Sequence, residues 1–236
     1  MITTVLFDLD GTLLPMDQDV FIESYLRGLV KKLAPYGYDP ETLARTIWAG
    51  TAAMVKNQGQ TNNEAVFWKV FCGVFGEQAL KDLPVFEDFY RNEFQNVAHD
   101  CGYDPRAREL IRSLKAMGLR LVLATNPLFP ALATHSRVRW AGLENGDFEL
   151  ITTYENARRC KPNPQYYLDI LDQLGLTPEE CLMVGNDVTE DMIAETLGLK
   201  VFLLTDNLIN KQQLPIQHYP HGSFPELLAY IKELTQ

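Results

Sequence analysis

Val5-Leu6-Phe7-Asp8-Leu9-Asp10-Gly11-Thr12 is the stretch from which the rest of the chain is read. A short apolar run stopped by Asp and Gly predicts a buried strand running into a loop. Asp8 and Asp10 are two apart, so on an extended segment both side chains point the same way. Two carboxylates side by side repel unless a cation or a proton relieves them. A turn in which Asp partners Gly11 explains such a stretch on its own. Two further acids after another predicted strand end weigh against that simpler reading.

Outward from this strand the same grammar repeats. Leu119–Ala124, Glu149–Thr152, Cys181–Val184 and Lys200–Leu204 are short apolar runs closed by polar, loop-forming residues. Helical periodicity falls between them. Ala107, Leu110, Ile111 and Leu114 share a face that ends at Gly118, and Tyr166, Tyr167, Ile170, Leu171 and Leu174 share one that ends at Gly175. Met192, Ile193 and Leu197 do so briefly before Gly198, and Leu227, Leu228, Ile231 and Leu234 complete the series. Alternating strand and helix predicts an α/β fold, a parallel sheet covered by helices on both faces.

One interval breaks the rhythm. The distance from Asp10 to Leu119 far exceeds a single crossover. It holds three helical faces, built on Phe21, Tyr25 and Leu29, on Phe67, Val70 and Phe71, and on Phe86, Phe89 and Phe94. These predict an all-helical subdomain over residues 16–100, inserted into a core of residues 1–15 and 101–236. Aromatic residues at helical spacing are expected to form its own core. Pro15 and Cys101–Pro105 are the expected hinges.

Ligands of a parallel sheet gather beyond the carboxyl ends of its strands. Gly185-Asn186-Asp187-Val188-Thr189-Glu190-Asp191 follows the fourth predicted strand. A helix start explains one acid there, as cap or dipole partner, but explains several acids less well. Four carboxylates at one sheet edge call for a hard divalent ion with oxygen ligands, and Mg2+ suits a site that keeps waters and takes a phosphate oxygen. Thr125 and Asn126 follow the second strand and can donate hydrogen bonds to an oxyanion. Lys161 precedes Pro162-Asn163-Pro164, a turn that fixes the backbone at a helix start and can aim the lysine inward.

These residues, taken in order, resemble the haloacid dehalogenase-like hydrolase superfamily in its phosphatase branch with a helical cap. Asp8–Thr12 is similar to the first motif, Thr125 to the second, Lys161 to the third, and Asp187 with Asp191 to the fourth. The resemblance implies a Rossmann-like core and an aspartyl-phosphate mechanism. Asp8 would be the nucleophile, and Asp10 the acid for the leaving alcohol and then the base for water. Asp8, the Asp10 carbonyl and Asp187 would hold Mg2+, with Asp191 a second ligand or an orienting partner. Asn186 stands between Gly185 and Asp187, where the family often reads Gly-Asp, and this leaves open which of the two acids carries the main metal contact. Thr125, Asn126 and backbone amides after Asp8, Gly11 among them, would bind phosphoryl oxygens, and Lys161 would neutralise charge. The presence of Asp10 favours phosphatase over dehalogenase chemistry. A phosphonate hydrolase would need a cap lysine; Lys56 and Lys69 lie in the cap, but the sequence places neither near Asp8. The function expected is Mg2+-dependent hydrolysis of a small phosphorylated metabolite. The alternatives are a sugar-phosphate phosphotransferase, or phosphomutase, and a non-catalytic module that binds a phosphorylated ligand.

Composition narrows the partners. The 236 residues are 46% hydrophobic and 22% charged, a globular balance that excludes disordered and collagen-like chains. A net charge of −10, from 31 acidic and 21 basic residues, disfavours nucleic acid and anionic membranes. No apolar run reaches membrane-spanning length. Arg27 is the first basic residue and Asp8 and Asp10 break the early apolar stretch, so no signal peptide is expected. The four cysteines include no CxxC pair, consistent with reduced thiols in a cytoplasmic monomer. His218 and His221 read as a polar loop, Cys160 as an inert thiol, and Trp48, Trp68 and Trp140 as packing residues. Asp17, Gln18 and Asp19 are placed by sequence to face the pocket.

Overall fold

The computed structural model describes residues 1–235. Six strands form one parallel sheet: β1 (Thr4–Phe7), β2 (Arg120–Leu123), β3 (Leu150–Ile151), β4 (Cys181–Gly185), β5 (Lys200–Leu204) and β6 (His221–Gly222). Their spatial order is β3-β2-β1-β4-β5-β6, so β1 lies at the centre and the order reverses between β1 and β4. That reversal opens a crevice at the carboxyl ends of the two strands.

Both faces of the sheet are buried, which is why its strands read as unbroken apolar runs. Val5 and Phe7 turn to one face with Leu121, Leu123, Leu182 and Val184. Leu6 turns to the other with Val122, Met183, Val201 and Leu203. The helices α5 (Pro105–Ala116) and α8 (Phe224–Leu234) cover the first face through Leu110, Leu114, Leu227 and Ile231. The second is covered by α7 (Pro164–Leu174) through Tyr166, Tyr167 and Ile170. Each leucine so buried contributes roughly 1.5–3 kcal/mol of transfer free energy.

Between β1 and α5 stand four helices, α1 (Gln18–Leu33), α2 (Pro40–Val55), α3 (Asn63–Phe75) and α4 (Leu83–Arg91), with short 3-10 turns between and after them. They share a third core of Phe21, Tyr25, Phe71, Phe86, Phe89 and Phe94. Ala133 of α6 (Ala131–Trp140) packs into that same core. The two chain crossings run side by side: Met16 bridges Cys101, and Gly102 N–H donates to the Pro15 carbonyl at 2.7 Å.

Three expectations are corrected. The stretch before Gly198 is a 3-10 run, Met192–Leu197, not an α-helix. His221 is not loop but half of β6, which pairs with β5 at the sheet edge. Trp48 is not a packing residue, being 50% exposed. Among the described residues all four cysteines are free thiols, and no helix is long and apolar enough to cross a membrane.

Candidate active site

The crevice between β1 and β4 holds a cleft of about 280 Å³. Asp8 leaves the end of β1 with its N–H bonded to the Val184 carbonyl at 2.9 Å, so the sheet itself fixes its backbone. The chain then folds tightly: Leu9 O accepts from the amides of Thr12, Leu13 and Leu14, and Gly11 N–H is tied to Leu14 O at 2.8 Å. Gly11 has φ +86°, and a Cβ there would collide with the Asn186 amide, so both conformation and space require glycine.

This turn aims Thr12 back at the nucleophile candidate. Its hydroxyl lies 3.1 Å from Asp8 Oδ2 and 2.9 Å from Asn186 Oδ1. Lys161 Nζ donates to Asp8 Oδ1 at 2.9 Å and to Asp191 Oδ1 at 2.7 Å, and its side chain is fully buried. Burial works against the ammonium, but the carboxylates of Asp191 and Asp8 outweigh it and hold the lysine charged well above its usual range. Asp191 Oδ2 accepts the Asp187 N–H at 3.0 Å. Both Asp191 oxygens are therefore committed to protein partners. Gly185 lets this carboxylate approach, since a Cβ there would overlap it.

Asp187 is different. Its Oδ1 accepts the N–H groups of Thr189 and Glu190 at 2.7 and 2.9 Å, which closes the turn after β4, while its carboxylate still lines the cleft. Thr125 is buried at the cleft wall, and its carbonyl is gripped by Thr152 and Tyr166 at 2.7 and 2.9 Å. Asn126 donates to Glu190 at 3.0 Å. Burial pushes the Glu190 carboxyl up to about 7, against the pull of Lys161.

The structure thus brings Asp8, Asp10, Thr125, Asn126, Asp187 and Asp191 to one cleft, with Gly11 and Lys161 in contact with residues of its wall. Of the three residues after the first motif, Gln18 lines the cleft. Asp17 instead caps α1, accepting from Asp19 and Val20, and Asp19 is exposed. Lys56 and Lys69 are exposed and do not line the cleft.

Two residues carry more than their sequence context signalled. Asn186 joins the first and fourth motifs, accepting from Thr12 and donating to the Asn207 carbonyl at 2.7 Å. Arg137, on α6, is 1% exposed, pairs with the Asp10 carboxylate and receives Phe129 4.6 Å from its guanidinium carbon. Burial raises the Asp10 pKa, and Arg137 opposes it. Asp10 Oδ1 is buried with no partner. Nothing in the run Thr134-His-Ser-Arg-Val-Arg139 marks Arg137 as other than a surface base.

The cleft holds more carboxylates than cations, and its donors are all oxygen. Among the described residues no three His, Cys, Asp or Glu side chains converge in a metal-holding group. Asp8 and Asp187 instead line the cleft with carboxylate oxygens. That suits a hard ion such as Mg2+, which takes few protein ligands. The charge surplus, and Asp187 Oδ2, which among the described residues takes no hydrogen bond, are the features such an ion would relieve.

Comparisons with known proteins place the chain in a family. A phosphoglycolate phosphatase from Colwellia psychrerythraea is 28% identical over 204 residues, 85% of this chain and 83% of its own. The crystal structure of a 2-haloacid dehalogenase from Pseudomonas syringae pv. tomato superposes with a TM-score of 0.63 at 18% identity, covering 99% of this chain and 100% of that one. A HAD phosphatase from Thermococcus onnurineus does so at 0.60 and 19%, with 98% of each chain covered. The sequence model of the haloacid dehalogenase-like hydrolases matches residues 2–195, and the chain belongs to that family of hydrolases.

Proposed function

We propose that this hydrolase is a Mg2+-dependent phosphatase that cleaves a small phosphorylated metabolite through an aspartyl-phosphate on Asp8. The observation that carries the reading is the buried ammonium of Lys161 between Asp8 and Asp191, with Thr12 on the other Asp8 oxygen. A carboxylate held from both sides at a strand end is preorganised for attack, and its neighbouring cation offsets charge as the phosphoryl group arrives. The phosphatase name of the Colwellia relative adds support.

In the first half-reaction an Asp8 oxygen attacks phosphorus, the bond from phosphorus to the leaving oxygen breaks, and Asp10 gives that oxygen its proton. In the second, water attacks phosphorus, Asp10 takes its proton, and the acyl phosphate bond breaks to return Asp8. Burial favours the protonated form of Asp10 that the first step needs. Thr125 and Asn126 bind phosphoryl oxygens, whereas the Gly11 amide, expected from the sequence to share that role, is already given to the Leu14 carbonyl. Asp8, the Asp10 carbonyl and Asp187 would hold Mg2+, which would supply neutralisation of phosphate charge. Asp191 acts as the orienting partner of Lys161, since both its oxygens are already committed. Residues 16–100 serve as a cap whose Gln18 meets the leaving group. The four free thiols favour a reducing, cytoplasmic setting.

The test is p-nitrophenyl phosphate hydrolysis with Mg2+. Asp8→Asn should lower turnover by at least about a thousand-fold. Undiminished turnover in that variant overturns the assignment.

A further inference from the structure

A second cavity, of about 400 Å³, opens between the helical segment and the loop after β2. Its walls are aromatic: Tyr25 meets Phe129 edge to face at 5.1 Å, and Phe67 stands 5.4 Å from Trp68 and 6.5 Å from Tyr154. Its charged groups are mainly acidic. Glu87 and Arg91 neutralise each other as an ion pair at 2.9 Å, which leaves Glu64 and Glu155. Glu155 is spent on the N-terminus of α6, accepting from Ala131 N–H at 2.8 and 3.1 Å. Among the described residues the Glu64 carboxyl has neither hydrogen bond nor ion pair, although its backbone is fixed by a 2.8 Å bond to the Tyr154 carbonyl.

Aromatic faces carry negative potential, and with the unpartnered Glu64 carboxyl among them they attract an organic cation and repel an anion. We propose that this cavity binds an organic ammonium group, and, resting on the phosphatase reading, that this group is the leaving-group end of the substrate. Burial and the Glu155 charge together raise the Glu64 pKa, a penalty that an incoming cation relieves. Two segments run from the catalytic cleft into the cavity. Gln18 lines the cleft and Ile22, four residues on along α1, lines the cavity, a rise of about 6 Å on one helix face. Asn126 lines the cleft, and Leu128 and Phe129 line the cavity. The two sites thus lie on neighbouring stretches of the same segments, as the proposal requires of one molecule with phosphate at one end and a cation a few bonds away.

The experiment compares two phosphomonoesters of equal shape, 4-(trimethylammonio)butyl phosphate and its uncharged analogue 5,5-dimethylhexyl phosphate, on the full chain with Mg2+. The expected kcat/KM ratio is at least ten-fold in favour of the cation. Glu64→Gln should bring the ratio to below three, and Phe67→Leu, which keeps apolar bulk but removes a π face, should lower it as well. Equal values for the two esters, or a ratio that survives Glu64→Gln, overturn the proposal even where p-nitrophenyl phosphate is hydrolysed and the phosphatase reading stands. Calorimetric titration with benzyltrimethylammonium reads the cavity without catalysis. Binding that Glu64→Gln weakens ten-fold, in a chain that hydrolyses no phosphoester, retains the cation site and refutes the phosphatase reading. No binding refutes the site.

Discussion

Arg137 is the side chain whose placement says most about catalysis. A guanidinium buried to 1% is costly unless paired, and here its partner is Asp10, 127 residues earlier in the chain. Phe129 and Phe21 lie 4.6 and 5.8 Å from it, so its orientation is set by packing as well as charge. It touches no reacting atom, and it acts by holding the proposed acid. That role predicts a dependence on the leaving group. Arg137→Met should slow hydrolysis of alkyl phosphates, whose alkoxides need a proton, by about a hundred-fold. p-Nitrophenyl phosphate, whose phenolate leaves unaided, should lose little, and Arg137→Lys should restore part of the alkyl rate. An equal loss on both substrates would mean that Arg137 is needed only for folding. Asp8, Asp10, Lys161 and Asp187 were legible because each follows a strand end or sits before a Pro-rich turn, where local patterning already says loop. Arg137 was not, because its partner is far off in sequence and its helix has no clean apolar stripe.

At the scale of elements, β1, β2, β4 and β5 were legible because their buried residues lie on both faces and are nearly all apolar, while the half-buried edge strand β3 was legible only from Leu150 and Ile151 ahead of a polar stop. β6 escaped because two residues at a sheet edge carry no such pattern. It is held by backbone bonds, Leu203 N–H to Pro220 O at 2.9 Å and Thr205 N–H to Gly222 O at 3.0 Å. The aromatic faces of α1, α3 and α4 were read as core, and most of them are. Which of their rings line a cavity depends on how the helices meet the loop after β2, and periodicity within one helix holds no information on that. The junction is specific and polar. Asn63 at the start of α3 is wholly buried and donates to the Pro127 carbonyl at 3.2 Å and to Cys160 Sγ at 3.3 Å, while Asn57 donates to it at 2.9 Å. Its backbone N–H reaches the Ala157 carbonyl at 2.9 Å. Asn63→Ala leaves the Asn57 amide one partner short and removes both side-chain links to the core. The expected cost is about 1–3 kcal/mol, read as a fall in Tm of roughly 3–10 °C in thermal denaturation. An unchanged Tm would show that α3 is held by its apolar contacts alone.

Across the whole molecule, the cleft is a place where stability is given up for function. Asp8, Asp10, Asp187, Asp191 and Glu190 face it, while Lys161 and Arg137 answer them from the interior and Lys211 from the rim. The chain as a whole adds to this field with its net charge of −10. The sheet imposes the crowding, because β1 and β4 are neighbours and both end at the same rim. A folded state with surplus negative charge at one point gains from any ligand that binds it and not the unfolded chain. Mg2+ should therefore raise Tm, and at a hundred times its dissociation constant the gain is about 2.7 kcal/mol. Asp187→Asn separates the charge from the fold. The asparagine oxygen can still accept the Thr189 and Glu190 amides that Asp187 Oδ1 now accepts, so the turn is kept. The charge is lost, and with it one carboxylate of the donor set. Without metal the variant should melt higher than the parent chain, by a few degrees, because repulsion in the cleft is reduced. With Mg2+ the order should reverse, the parent gaining and the variant gaining little. Both arms are read by calorimetry in chelator and in millimolar Mg2+. A variant that melts lower without metal would mean that Asp187 serves the turn by its charge, and an equal Mg2+ response in both proteins would remove it from the metal site.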